Sequence, residues 1–191
     1  YNVATGNGAL YENTTGYGNT ATGFAALGAN TTGFSNVAVG SGALYLNSTG
    51  NYNTAVGYDA LRNNTAIDNS AFGFNALRAN TTGTDNVAIG KNTLLANTTG
   101  NENTSLGTAS LYNATTASFN TALGSRALYR STTGGSNVAI GHDAAYSGTT
   151  ANNSVAIGRF AMRDITTGTG NVAVGSFALR GLTTGDSNLA L

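Results

Sequence analysis

NVAIGKNTLLANTTGNE runs from Asn86 to Glu102, and NTSLGTASLYNATTASF follows it directly from Asn103 to Phe119. The two lines align without a gap. Each opens with Asn, sets a small residue between two larger ones, closes that segment with Gly, and places a Leu four residues further on. Each then passes through a Thr-Thr pair before the next Asn. Outward from these lines the closing glycine recurs at Gly6, Gly23, Gly40, Gly57, Gly73, Gly90, Gly107, Gly124, Gly141, Gly158 and Gly175. Nine of the ten intervals are 17 residues, and the one from Gly57 to Gly73 is 16. Residues 1–191 thus form a single array of eleven units reading N-[VT]-A-[VI]-G-x-x-A-L-x-x-N-T-T-G-x-x, with Asn188-Leu189-Ala190-Leu191 opening a twelfth. Repetition at a fixed period is the mark of a stacked architecture. The short interval falls near Thr65-Ala66-Ile67, in a loop, where stacked coils absorb a deletion and keep their register.

A unit of 17 residues is too short for a helix pair, which takes roughly thirty or more. Glycine at this frequency also breaks any helical stripe. The expected fold is all-β, a parallel β-roll or β-solenoid of about eleven coils. Two short strands per coil are expected, one on the x-Ala-x segment and one around the Ala-Leu pair. Asn-Thr-Thr-Gly supplies the turn, with Gly able to take positive φ and Asn able to bond its own backbone. Identical coils stacked at about 4.8 Å place Asn over Asn and Thr over Thr, in a rod of roughly 50 Å.

The alternation within a strand carries an expectation about assembly. In Val87-Ala88-Ile89 the outer pair points one way and Ala the other, so both faces are apolar. Strands apolar on both faces are buried on both. A narrow roll covers only one of them by itself. The leucine column at Leu10, Leu27, Leu44, Leu61, Leu77, Leu94, Leu111, Leu128 and Leu179 is assigned to the interior. The other strand face then needs a cover, and a second copy of the chain is the simplest one, which predicts a homo-oligomer.

The segments that carry this pattern resemble the head repeats of trimeric autotransporter adhesins. Asn153-Ser154-Val155-Ala156-Ile157-Gly158 matches their N-S-V-A-I-G core letter for letter, and Asn137-Val138-Ala139-Ile140-Gly141 and Asn171-Val172-Ala173-Val174-Gly175 are close to it. The longer unit is also similar to repeats of phage tail fibres and bacterial surface fibres. This resemblance covers the whole chain. It implies a left-handed parallel β-roll, three chains side by side, displayed outside a cell or on a virion for attachment. The 17-residue unit is longer than those of the adhesin heads, and the extra length lies in the Asn-Thr-Thr-Gly turn. Turn-borne ligand contacts of the family are therefore not carried over.

Composition narrows the function classes. Charged residues make up 8% of the chain, against roughly 25% in an average soluble domain, and eight acids cancel eight bases. Such a chain has no field to steer it onto nucleic acid or an anionic membrane, so neither is expected as a partner. The single histidine, His142, has Asp143 beside it but no second His or Cys to complete a metal or nucleophile site. Carboxylates such as Glu12, Asp59, Asp85, Glu102 and Asp186 fall on variable positions, and the Gly-Gly-x-Gly-x-Asp calcium repeat does not occur. The expectation is a non-enzyme without cofactor or metal, and no catalytic or cofactor-binding residue is nominated. Val56-Gly57-Tyr58-Asp59-Ala60-Leu61 fits the hexapeptide pattern of acyltransferase β-helices, but those need three such hexads per coil rather than one. Asn-Thr-Thr triplets are formal glycosylation sequons and are better explained as turns.

Specificity has to come from the variable columns. The residue after the closing glycine is, among others, Phe24, Ser41, Tyr58, Phe74, Lys91, His142 and Arg159. The residue after the Ala-Leu pair is Tyr or Arg at Tyr11, Tyr45, Arg62, Arg78, Tyr112, Tyr129, Tyr146, Arg163 and Arg180. Stacked along an edge these form a Tyr/Arg strip suited to a glycan or protein partner. The account preferred over binding is that they stack on one another to shield the roll, or line a seam between chains. The leading expectation is a structural or adhesive extracellular fibre segment that attaches to a receptor or surface glycan. An ice-binding or other surface-binding monomeric solenoid is the alternative, because threonine columns at about 4.8 Å suit a crystal face. Adjacent threonines in a turn point different ways, which weighs against it. The array starts and stops inside a repeat and shows no signal peptide, apolar span or heptads, so a piece of a longer fibrous protein is expected.

Overall fold

A computed structural model describes all 191 residues. It contains twelve short parallel strands in one sheet, ordered as they occur in the sequence from β1 (Val3–Thr5) to β12 (Leu189–Ala190), and no helix. The expected all-β solenoid of about eleven coils is what the chain forms. Register follows the repeat. Ala21 pairs with Ala38, Ala38 with Ala55 and Ala55 with Ala71, the last across the 16-residue unit. In that unit Thr65 keeps its bond to the next coil and Ala66 offers the carbonyl that a turn glycine offers elsewhere. The deleted residue is thus the second threonine, and the sheet does not notice its loss.

Each coil has one strand, not two. The Ala-Leu arm is a column of stacked turns whose leucines have φ near +50°, among them Leu44 at 51°, Leu77 at 51° and Leu111 at 49°. Their N–H groups reach the next coil, as Leu44 N donates to Ala60 O at 3.0 Å and Leu27 N to Ala43 O at 3.0 Å. Extended backbone would carry the arm away from the sheet. The left-handed residues fold it back so that its leucine points inward. In all, 29 non-glycine residues have positive φ, against a few per cent in ordinary proteins. Stacking satisfies the polar groups of these turns coil by coil, which offsets a cost of about 1 kcal/mol at each such residue.

The core is a thin slab. The strand alanines (Ala21, Ala38, Ala55, Ala71, Ala88) and the leucines from Leu27 to Leu128 are fully buried, as the interior assignment requires, with Met162 taking over further on. Small alanine against large leucine sets the thickness. Two columns of asparagine close the slab at its ends. In the first, Asn36 Nδ2 donates to Asn19 Oδ1 at 3.1 Å and to Gly50 O at 2.8 Å, and Asn36 N donates to Asn19 Oδ1 at 3.0 Å. In the second, Asn30 Nδ2 donates to Asn13 Oδ1 at 2.7 Å and to Gly33 O, three residues on in its own turn, at 3.0 Å. The expected asparagine ladders are therefore present. They are largely buried, and their polar groups are partnered coil by coil except at Asn97, whose Oδ1 has no donor.

The turn glycine plays a different part from the one expected. Gly33, Gly83 and Gly100 do not have positive φ; that conformation falls on the residue before the first Asn, such as Ser35, Asp85 and Glu102. What Gly33 supplies is room. A Cβ there would meet the Oδ1 of Asn30 and lie 2.5 Å from Gly50 O. Where the second asparagine gives way to Ala114, the glycine of the same turn gives way to Ala117.

Candidate functional site

Two outer surfaces run the length of the rod. The first is the outward face of the sheet, where the residues flanking each strand alanine stand side by side. The column nearer the closing glycine reads Val39, Val56, Phe72, Ile89, Leu106, Leu123, Ile140, Ile157 and Val174 without a polar interruption. Its companion mixes valine with threonine and serine, as at Val37, Thr54, Ser70 and Val87. Several of these aliphatic side chains are about two-fifths exposed, including Ile89 at 39%, Leu106 at 42% and Leu123 at 40%. An apolar strip of this length is uncommon on an isolated soluble chain.

The second surface is the stacked-turn arm, which gathers the variable columns singled out in the sequence. Tyr112, Tyr129 and Tyr146 stack face to face with ring centres 5.1 Å apart. Arg163 continues the column over Tyr146 at 5.6 Å, and Arg62 lies over Tyr45 at 5.1 Å. In the neighbouring column Tyr58 stacks on Phe74 at 5.4 Å, with the Lys91 ammonium 5.9 Å from the Phe74 ring. Rings and guanidinium planes repeating at the coil spacing stabilise each other by offset stacking and cation–π attraction.

His142 and Asp143 lie on this arm. Asp143 faces Arg126, whose Nη2 donates to Oδ2 at 2.9 Å while Nε lies 2.8 Å from Oδ1. His142 Nδ1 is 3.5 Å from the same carboxylate, and its ring packs edge-on against Phe160 at 5.7 Å. The carboxylate is thus committed to the arginine. No three His, Cys, Asp or Glu side chains gather in a way that would hold a metal ion. No family model, curated protein or solved structure matches the chain.

The turn threonines are divided in their roles. The first of each pair turns its hydroxyl into the stack, as Thr31 donates to Ser48 O at 2.9 Å and Thr98 to Thr115 O at 3.0 Å. Thr32, Thr82 and Thr116, the second of their pairs, face solvent. Only one free hydroxyl column therefore runs along the turn. On the flat sheet face, Thr-x-Thr occurs at Thr20-Ala21-Thr22 alone.

Small residues interrupt the post-glycine column at Ser41, Thr108, Ser125 and Ser176, and of these only Ser41 lies between two aromatic residues. In the post-glycine column Ser41 stands between Phe24 and Tyr58, and Gly42 follows it. These residues floor a cleft of about 520 Å³ bounded also by Tyr45, Asp59, Arg62 and Arg78. Asp59 is 9% exposed; its Oδ2 accepts from Arg78 Nε at 3.3 Å and its Oδ1 lies 3.5 Å from Arg62 Nε. Sequence reasoning named the two columns but not this gap. Its only signal is Ser41 between Phe24 and Tyr58 in the post-glycine column, followed by Gly42.

Proposed function

We propose that the array is a rod segment of a trimeric extracellular fibre, non-catalytic, with attachment as its role and the outward sheet face as the seam between chains. The unbroken apolar column from Val39 to Val174 carries this reading. A strip nine side chains long gains nothing for a monomer, whereas covering each aliphatic side chain with another copy is worth on the order of 1 kcal/mol. The likeness of Asn153-Ser154-Val155-Ala156-Ile157-Gly158 to adhesin head repeats supports the same arrangement and placement outside a cell or on a virion. Low charge and the absence of cysteine are consistent with it.

The test is the mass in solution of the chain and of a variant carrying Ile140→Glu and Ile157→Glu. Light scattering after size exclusion should give three chains for the parent and one for the variant, with far-ultraviolet circular dichroism unchanged. A parent that is a clean monomer would refute the seam. In that event thermal hysteresis becomes the next measurement, because a free, flat sheet face is then a surface-binding one.

A further inference from the structure

The cleft at Ser41 and Gly42 has the construction of a binding site, and we infer that it holds one pyranose ring bearing a carboxylate. The inference deepens the attachment reading above, on which its biological sense rests, by naming a place and a ligand class.

Spacing supplies the first argument. Rings in adjacent coils of this protein stack at 5.0 to 5.4 Å. Phe24 and Tyr58 belong to the same column but are separated by the coil of Ser41, so the gap between them is one ring wide. Both rings are well exposed, Phe24 at 64% and Tyr58 at 52%. A flat ring entering there meets an aromatic face above and below. The apolar C–H face of a pyranose is such a ring, and it leaves the equatorial hydroxyls pointing sideways to polar groups.

The walls supply the second argument, because they are held in place and made possible by glycines. Asp59 leans back over Gly42, where a Cβ would collide with its Oδ1. Tyr45 leans back over Gly28 in the same sense, its Cε2 lying 3.0 Å from where a Cβ would sit. Elsewhere these two columns carry side chains such as Asn75 and Tyr112. Two adjacent coils thus each yield a side chain to let the next coil's polar or aromatic group frame the gap. Arg78 fixes Asp59 from beyond, and Arg62 is pinned between Asp59 and the Tyr45 ring. The carboxylate is preorganised to accept from sugar hydroxyls.

Charge supplies the third. Two guanidinium groups face one carboxylate, leaving one positive charge in excess at the rim. Arg78 has a side chain 44% exposed and uses only Nε toward Asp59, so its terminal nitrogens are free to take a ligand carboxylate. A neutral sugar would satisfy the rings and Asp59 but not this excess.

The test uses methyl glycosides of glucuronic acid, galacturonic acid and N-acetylneuraminic acid, with those of glucose and galactose as neutral counterparts, at millimolar concentration. Saturation-transfer NMR should show transfer from protein aromatic protons to the ring protons of at least one acidic sugar, saturable and at least severalfold stronger than for the neutral ones. Ser41→Tyr should abolish it, because the new ring completes the Phe24–Tyr58 column and occupies the gap. That variant keeps the fold, which an unchanged thermal midpoint checks. Arg78→Gln should bring the acidic sugar down to the neutral level. No transfer to any acidic sugar, equal transfer to both classes, or transfer that survives Ser41→Tyr would overturn the assignment. The mass of the assembly is measured independently, so failure here leaves the rod reading standing, and the converse holds.

Discussion

Replacing Asn86 by Ala is expected to cost about 4 kcal/mol locally, while the same change at Asn97 costs about 2 kcal/mol. Both residues are buried asparagines that lose the same atoms, so the cavity contribution is common to both. They differ in ladder position. The Asn86 amide donates to Asn69 Oδ1 at 3.1 Å, Thr84 O at 3.0 Å and Gly100 O at 2.9 Å, which three acceptors share two hydrogens. Its Oδ1 accepts from Asn103 N at 3.1 Å and Asn103 Nδ2 at 3.0 Å. Four hydrogen bonds at about 1 kcal/mol each are lost, and the fully buried Asn103 N–H is left without an acceptor. Asn97 donates to Asn80 Oδ1 at 2.8 Å and Gly100 O at 3.0 Å, but its own Oδ1 is buried without a partner, because the next coil has Ala114. Truncation there loses two bonds and shifts the orphaned oxygen to Asn80, whose Oδ1 has no other donor, so about 2 kcal/mol is lost. Native-state hydrogen exchange is the suitable assay, because stability in stacked repeats is local. The Asn103 amide should lose protection by about three orders of magnitude in Asn86→Ala, and the amides flanking position 97 by about one and a half in Asn97→Ala. Equal losses in the two variants would show that ladder connectivity does not set the stability of the coil.

Further outcomes follow from the same geometry. Ala114→Asn should destabilise alone, because its Oδ1 would meet the Cβ of Ala117. Combined with Ala117→Gly it should gain about 1 kcal/mol by giving Asn97 Oδ1 a donor, and a double-mutant cycle on thermal midpoints reads the coupling. Gly107→Ala should cost about 3 kcal/mol or more, since Gly107 has φ +137° and a Cβ would lie 2.5 Å from Gly124 O. Gly8→Ala, at φ +71° with nothing nearer than 3.7 Å, should cost about 1 kcal/mol, and chemical denaturation of the pair gives the difference. Leu61→Ala should cost about 2 to 5 kcal/mol, because the leucine is fully buried between two like neighbours; the same denaturation experiment measures it.

The period, the register and the leucine interior were all readable from residue order, because each depends on repetition, which a single sequence displays. The arm around Ala-Leu was misread as a second strand. Alternating Ala60 and Leu61 look like strand residues, and nothing about an isolated leucine suggests φ of 51°. That conformation is stabilised by coils above and below rather than by local preference, so it is invisible in one unit. The turn glycine was assigned for its φ when the stack needs its missing Cβ, a constraint that comes from Gly50 in the next coil rather than from the turn of Gly33 itself. The cleft escaped notice for a related reason. Ser41 and Gly42 are unremarkable letters, and only with Phe24 above and Tyr58 below do they become a gap.

The asparagine columns have a consequence for how such a chain changes length over generations. Each Asn inside the first column gives to the coil before it and receives from the coil after it, as Asn53 does with Asn36 and Asn69. A recombination event that excises or inserts one whole unit joins a donor to an acceptor identical to the one it replaced, and no buried group is stranded. An event that cuts out half a unit strands several at once. Selection therefore sees a ratchet with one permitted step, and the number of coils is free to drift or be tuned while the cross-section stays fixed. Reach becomes a heritable quantity separable from the binding chemistry proposed above, which occupies a single gap at Ser41 and Gly42.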